Sequence, residues 1–401
     1  MTRRSFSGAA AAAVAMSGPL AAEVRPDSGG MLVIHGRRRF VVGLYQLPKI
    51  ADPWPEVRDA GFNLVHVGAS REELDLAARH QLYGWVTVGS IAPPSRSADE
   101  SRIRNIVESC KDHPALLFWE TEDEPSYQWK KPGSRIPPEN IIAARRLLKS
   151  IDPVHPAYLN HPPANLVATL RRYNGGADIV ATDIYPVIPH GIRELYALWP
   201  DGLHGDLLNP YISQIGRYAD KMRQVAGPSR AVFLVLQAFA WENLREKDRD
   251  PAMVLYPDRH QLRFMAYQAI AHGVNGLLFW GLDFTPPDAP LWPVLKGLAA
   301  ELRGLQDELA ARPLPLPLGI EYYDTGHSLD RGIEWIAKPS RGGVLLIAVN
   351  ADPHVVEAAF SGLAAFQHCE VLAGGGGAKL HRGTLSDQFQ PFGVRLYRLT
   401  R

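Results

Sequence analysis

The stretch Phe118-Trp119-Glu120-Thr121-Glu122-Asp123-Glu124-Pro125, FWETEDEP, follows the apolar run His113–Leu117 and sets four carboxylates within five positions. Read outward, it is one strand among several. Short apolar runs at Phe40–Leu44, Asn63–Val67, Gly84–Val88, Ala115–Glu120, Ala157–Asn160, Ile179–Tyr185, Val232–Leu236 and Gly276–Trp280 predict strands. Helical periodicity between them predicts helices at Glu72–His80, Asp99–Lys111, Glu139–Ser150, Tyr211–Val225, Arg259–His272 and Trp292–Leu309. Eight strands alternating with helices fit an α/β fold of the (β/α)8 TIM barrel type. An open doubly wound sheet would want a glycine-rich first turn, and Gly43-Leu44-Tyr45-Gln46-Leu47-Pro48 is not one.

After the proline-rich Ala311–Gly319 the pattern becomes strands at Glu334–Ala337, Gly343–Val349, Val355–Phe360 and Val394–Leu399. This predicts a small C-terminal antiparallel β domain, sandwich-like, over 312–401, behind a barrel over 23–311. Thr2-Arg3-Arg4-Ser5-Phe6, an Ala-rich stretch from Gly8 to Met16 and Pro19-Leu20-Ala21-Ala22 form a basic, then apolar, then small-residue plan. Residues 1–22 therefore read as a twin-arginine-like export signal, with a periplasmic or secreted destination. The stretch is too short to span a membrane. The 189–210 insertion, with Trp199 and His204, is expected on the loop face as a cleft wall.

The 401 residues carry a net charge of +1, which offers no field for nucleic acid or anionic lipid. No Cys or His cluster has metal-ligand spacing, and no cofactor motif stands out, so neither is expected. Cys110 and Cys369 are the only cysteines. Cys110 shares a helical face with Ile103, Ile106 and Val107 and reads as a core thiol.

Barrel active sites lie at the carboxyl ends of the strands, which gives the acidic run a purpose. If the chain stays extended, Glu120, Glu122 and Glu124 share one face and Asp123 points the other way. Carboxylates crowded at a partly dry strand end cannot all ionise cheaply, so at least one should titrate high, as a general acid requires. Some of them, Glu120 and Glu122 before Glu124, are also read as caps of the next helix or as partners of Lys130, Lys131 or Arg135. Tyr45 and Gln46, His66, Ser90, Asn160 and His161 at other strand ends complete a polar ring for a hydroxyl-rich ligand. Singly, each is also read as a satisfied structural group.

WETEDEP resembles the W-E-x-x-N-E-P signature that ends the fourth strand in the large clan of (β/α)8 glycoside hydrolases that includes β-mannanases and cellulases. The resemblance implies that Glu124 is the general acid/base and that Asp123, where the clan has Asn, contacts the sugar hydroxyl beside the scissile bond. Trp280 in LLFWGLDF resembles the clan's aromatic sugar platform, and Tyr185 its tyrosine beside the reaction centre. The chain departs from the pattern at Gln237, where the clan carries its strand-seven nucleophile Glu, and an amide cannot serve there. A second carboxylate is then sought first at Asp183 in ATDIYP, then at Glu242, near Trp241, and then at Asp283. An adjacent Asp and Glu also resemble enzymes that use a substrate N-acetyl group as nucleophile. The expectation is an exported O-glycosidase acting on an oligo- or polysaccharide. A non-catalytic carbohydrate-binding pseudoenzyme and a non-hydrolytic barrel enzyme such as a polysaccharide lyase are the alternatives.

Overall fold

In a computed structural model, which describes residues 23–127, 135–189, 212–323, 331–373, 375 and 377–401, the chain begins with three short antiparallel strands, β1 (Val24–Pro26), β2 (Leu32–Ile34) and β3 (Arg37–Arg39). The expected export segment, Lys130, Lys131 and nearly all of the 189–210 insertion lie outside the described residues. Eight parallel strands follow: β4 (Val41–Leu44), β5 (Leu64–Val67), β6 (Tyr83–Thr87), β7 (Leu116–Asp123), β8 (Ala157–His161), β9 (Ile179–Asp183), β10 (Ala231–Gln237) and β11 (Gly276–Trp280). Each pairs with the next, and β11 pairs with β4, so the sheet closes into the barrel the sequence predicts.

Helices Arg71–Arg79, Arg96–Cys110, Pro138–Ile151, Gln214–Ala226, Arg259–Ala271 and Leu291–Gly304 lie close to the predicted ranges. A helix at Pro53–Ala60 was not expected, because Pro53 and Pro55 suppress helical propensity. Proline at the first helical turn lacks only a donor that would be orphaned anyway, so it is tolerated there. The predicted run Trp292–Leu309 breaks at Leu305 into two helices, the second being Gln306–Ala310.

Alternation along the strands divides the core in two. Trp85, Phe118, Tyr158, Phe233, Val235 and Leu278 fill the barrel, and Val24, Leu32 and Ile34 of β1 and β2 close its amino end. The opposite parity, including Val42, Leu44, Val65, Val86, Leu159 and Val180, packs on the helices, and Cys110 is buried there. Burial on both faces makes the barrel strands read as continuous apolar runs.

Beyond Ala310 stand eight antiparallel strands: β12 (Gly319–Tyr322), β13 (Ile333–Ser340), β14 (Gly343–Asn350), β15 (Val356–Ser361), β16 (His368–Ala373), β17 (Lys379–His381), β18 (Thr384–Phe389) and β19 (Val394–Thr400). They form two four-stranded sheets, β12-β15-β18-β17 and β13-β14-β19-β16. Four of these strands were not predicted; β12, β16 and β17 are largely exposed and carry little apolar alternation. β14 turns Val344, Leu346 and Ala348 to the other sheet and Leu345, Ile347 and Val349 to the barrel layer, which docks the second domain on the helix Arg259–Ala271.

Candidate active site

The strand that carries the acidic run does not stay in register. Against β8, Glu120 lies opposite Tyr158, Glu122 opposite Leu159 and Asp123 opposite Asn160, so Thr121 is an extra residue in a bulge. The inserted residue inverts the side-chain parity. Glu120 and Asp123 face the barrel interior, while Glu122 turns aside to Ser90 and Arg135, at 3.2 and 3.3 Å. The expectation that Glu120, Glu122 and Glu124 share a face, with Asp123 opposed, is thereby corrected. Glu124 follows with a left-handed φ of 44°, its N–H donating to the Asn160 carbonyl at 3.0 Å. Such a conformation is costly outside glycine and is held here by the bond to β8.

Asn160 organises the mouth. Its Nδ2 donates to Asp123 Oδ1 and to Asp183 Oδ1, each at 3.0 Å, which brings carboxylates from the fourth and sixth barrel strands onto one amide. Burial, and after it the charge of Asp183, pushes the Asp123 carboxyl up to about 6, against the lowering effect of the Asn160 bond. Solvent reaches Asp123 although protein surrounds it on most sides, the signature of a group lining a recess. Tyr185 stands beside this pair. Burial and the charges of Asp183, Glu124 and Asp123 hold its phenol well above the ordinary value. All three acids therefore act on one hydroxyl.

Aromatic rings floor the recess. Tyr185 stacks on Trp280 with centroids 5.5 Å apart, and Phe239, Trp241 and Phe284 pack at the edges of this pair. Trp241 Nε1 donates to the Tyr185 carbonyl at 3.0 Å. Gly281 has φ of 109° and a Cβ there would strike the Phe239 ring, so only glycine lets the chain turn immediately after Trp280.

Deeper in the barrel lies a second polar group. Trp85 Nε1 and Thr87 Oγ1 both reach Glu120 Oε2, at 3.0 and 2.9 Å, and Thr87 also meets His66 Nε2 at 2.9 Å. Burial pushes Glu120 up to about 8 and His66 down to about 4. Near neutral pH the two are an uncharged acid and an uncharged imidazole joined through Thr87, not an ion pair, in keeping with their 3.9 Å separation. Tyr45 caps them, its hydroxyl 2.7 Å from that of Tyr158.

Other residues singled out from sequence lie elsewhere. Gln237 is inward but wholly buried, its amide bonded to both backbone atoms of Val187 and to the Phe239 carbonyl, an internal strut with no free polar atom toward the recess. Glu242 is buried in a short 3-10 helix, where its Oε1 accepts the Asp250 N–H at 2.6 Å and faces Arg245. Asp283 is exposed on the turn after β11, with its carbonyl accepting from Lys49. His161 points away from Asn160, into the layer between barrel and helices against Tyr173, and burial drives its imidazole down to about 3. Sequence reading missed Trp85, Thr87, Tyr158 and Phe239. Two-residue alternation back from Asn160 would have found Tyr158, whereas Trp85 and Thr87 stand on β6, where Ser90, beyond the strand end, has the opposite parity.

No protein-family model matches this chain, and no curated protein is similar to it in sequence. Solved structures are similar in shape. A glycoside hydrolase family 51 arabinofuranosidase from Xanthomonas axonopodis pv. citri superimposes with a TM-score of 0.53 at 12% identity, over 89% of this chain and 92% of that one. The shared fold is a (β/α)8 barrel. A glycoside hydrolase family 5 mannosidase from Rhizomucor miehei gives a TM-score of 0.50 at 11% identity, over 72% of this chain and 99% of the other. These barrels and the present one share the closed eight-stranded architecture.

Proposed function

We propose that the chain is a glycoside hydrolase that works at the carboxyl mouth of the barrel, outside the cytoplasm, on an oligo- or polysaccharide. One observation carries this reading: the Asn160 amide holds Asp123 and Asp183 together beside an aromatic floor, within reach of the charge of Glu124. In this reading Glu124, fixed by its turn and by β8, protonates the leaving glycosidic oxygen. Asp183 activates water or attacks the anomeric carbon, and Asp123 binds the sugar hydroxyl next to the broken bond. Tyr185 and Trp280 offer the apolar face on which a sugar ring stacks.

Replacing the acid tests it. Glu124→Gln should lower kcat/KM on an unactivated glycoside by about 10²–10⁴, with less loss on an aryl glycoside whose leaving group needs no proton. Undiminished turnover of both would remove Glu124 from the role. Proton NMR of the first-formed anomer then distinguishes inversion through water from retention through Asp183.

A second reading, a carbohydrate-binding protein without turnover, draws on Gln237, since a buried strut occupies the position at which the similar clan keeps its nucleophile. It requires that Glu124→Ala preserve glycan affinity and that the wild type turn over no glycan at all.

A further inference from the structure

The opposite end of the barrel holds a second recess, of about 350 Å³, where the first three strands meet the amino ends of β4, β5 and β6. Three guanidinium groups line it, Arg39, Arg58 and Arg303, and no carboxylate does. Their charges are poorly answered. Arg39 is half-buried, and its guanidinium has neither a hydrogen bond nor an ion pair among the described residues. Arg58 faces a single acid, Asp59, at 2.6 Å, and that side chain is mostly in solvent. Arg303 spends one N–H on the backbone carbonyl of the same Asp59, at 2.6 Å. Half-buried guanidinium groups such as those of Arg39 and Arg58 are ordinarily paired, so these two, with the exposed Arg303 at the rim and one peripheral carboxylate, leave a positive surplus that suits an oxyanion.

The walls fit more than an ion. Asn63 and Gln306 are locked by paired bonds to the backbone of Phe40 and Val42, which makes the rim rigid. Phe62, Tyr83 and Leu117 supply an apolar side, and the Tyr83 hydroxyl feels the charge of Arg39. The volume is at the lower end of ligand cavities, enough for a molecule the size of a monosaccharide. We propose that this basic recess is a binding site for a sugar-sized organic oxyanion, phosphorylated or carboxylated, separate from the carboxyl mouth. The layers of Trp85, Phe118, Phe233 and Leu278 stand between the two ends, so the sites do not share residues.

Isothermal titration calorimetry at constant ionic strength tests this with glucose 6-phosphate, glucuronate, inorganic phosphate and neutral glucose as probes. The expected result is saturable binding of one anion per chain, and the comparison of phosphate with carboxylate identifies which oxyanion is preferred. Arg39→Gln should weaken that binding about tenfold, the scale of one charged hydrogen-bonding pair, with Arg39→Lys intermediate because it keeps the charge and loses the fork. Glu124→Gln should bind the anion as the wild type does. Should Arg39→Gln fail to fold, Arg303→Gln, at an exposed helix end, carries the same expected weakening. Heat that follows ionic strength alone, binding confined to neutral glucose, or unchanged affinity in folded Arg39→Gln and Arg303→Gln would overturn the proposal.

Discussion

Asn160 shows how much one side chain decides at this mouth. Two acids share its single amide nitrogen, and the same bond lowers an Asp123 titration that burial and Asp183 raise. Asn160→Ala should therefore move the Asp123 limb of a kcat/KM–pH profile upward from about 6. A limb that stays in place would detach Asp123 from the activity. Glu120 makes a prediction about stability instead. Its folded carboxyl titrates near 8 rather than at the ordinary 4.5, so the folded state holds a proton that the unfolded state gives up. The resulting stability is full below the ordinary value and is lost as pH rises through about 8. Glu120→Gln, uncharged throughout, should gain thermal stability relative to wild type by a few degrees between about pH 5 and about pH 9. Parallel melting curves for the two proteins across that range would mean that Glu120 is already ionised in the fold.

At the scale of elements, the bulge in β7 does what no composition count reveals. One extra residue, Thr121, whose hydroxyl bonds the Tyr158 carbonyl at 3.3 Å, exchanges the faces of every acid after it. Deleting Thr121 should restore strict alternation with Glu120 and Asp123 two positions apart and both still inward, so turnover should survive within about tenfold while far-ultraviolet circular dichroism stays native. Turnover lost in a folded deletion variant would show that the bulge shapes the mouth beyond the facing of these two acids. The eight barrel strands were legible because each is an apolar run buried on both faces. The bulge was not, because its cause is the pairing of Glu120 and Asp123 with Tyr158 and Asn160, some forty residues on. The helix Pro53–Ala60 was hidden by its prolines, and the strands β12, β16 and β17 by their exposure.

For the molecule as a whole, the seam between barrel and β domain carries its own titration. His272, following the helix Arg259–Ala271, pairs with Asp220 and with Glu334 of β13, each at 2.9 Å, while Arg331 bonds Glu334 at 2.8 Å and Gln268 bonds it at 2.8 Å. Burial opposes a charge on His272, and the two acids outweigh it, so the imidazole titrates above its ordinary 6.5. A raised histidine contributes stability that is full below the ordinary value and is lost as pH rises through the folded one. Thermal unfolding should show the melting temperature falling as pH climbs above about 6.5, and His272→Gln should flatten that slope. An equal slope in both proteins would place the pH dependence elsewhere.

The sequence alone determined the barrel, the β domain after the proline-rich link and the acidic end of the fourth strand, because burial imposes period and length on local runs of residues. It placed Glu124, Asp183, Tyr185 and Trp280 at strand ends, where barrel sites form. Only the tertiary structure decided that Asp123 turns inward, that Asn160 joins it to Asp183, that Gln237 is a strut, that Glu242 is engaged by Asp250 and Arg245 and that His161 faces the helix layer. Those facts depend on strand pairing, on burial and on charge between groups far apart in the chain, and no local pattern encodes them.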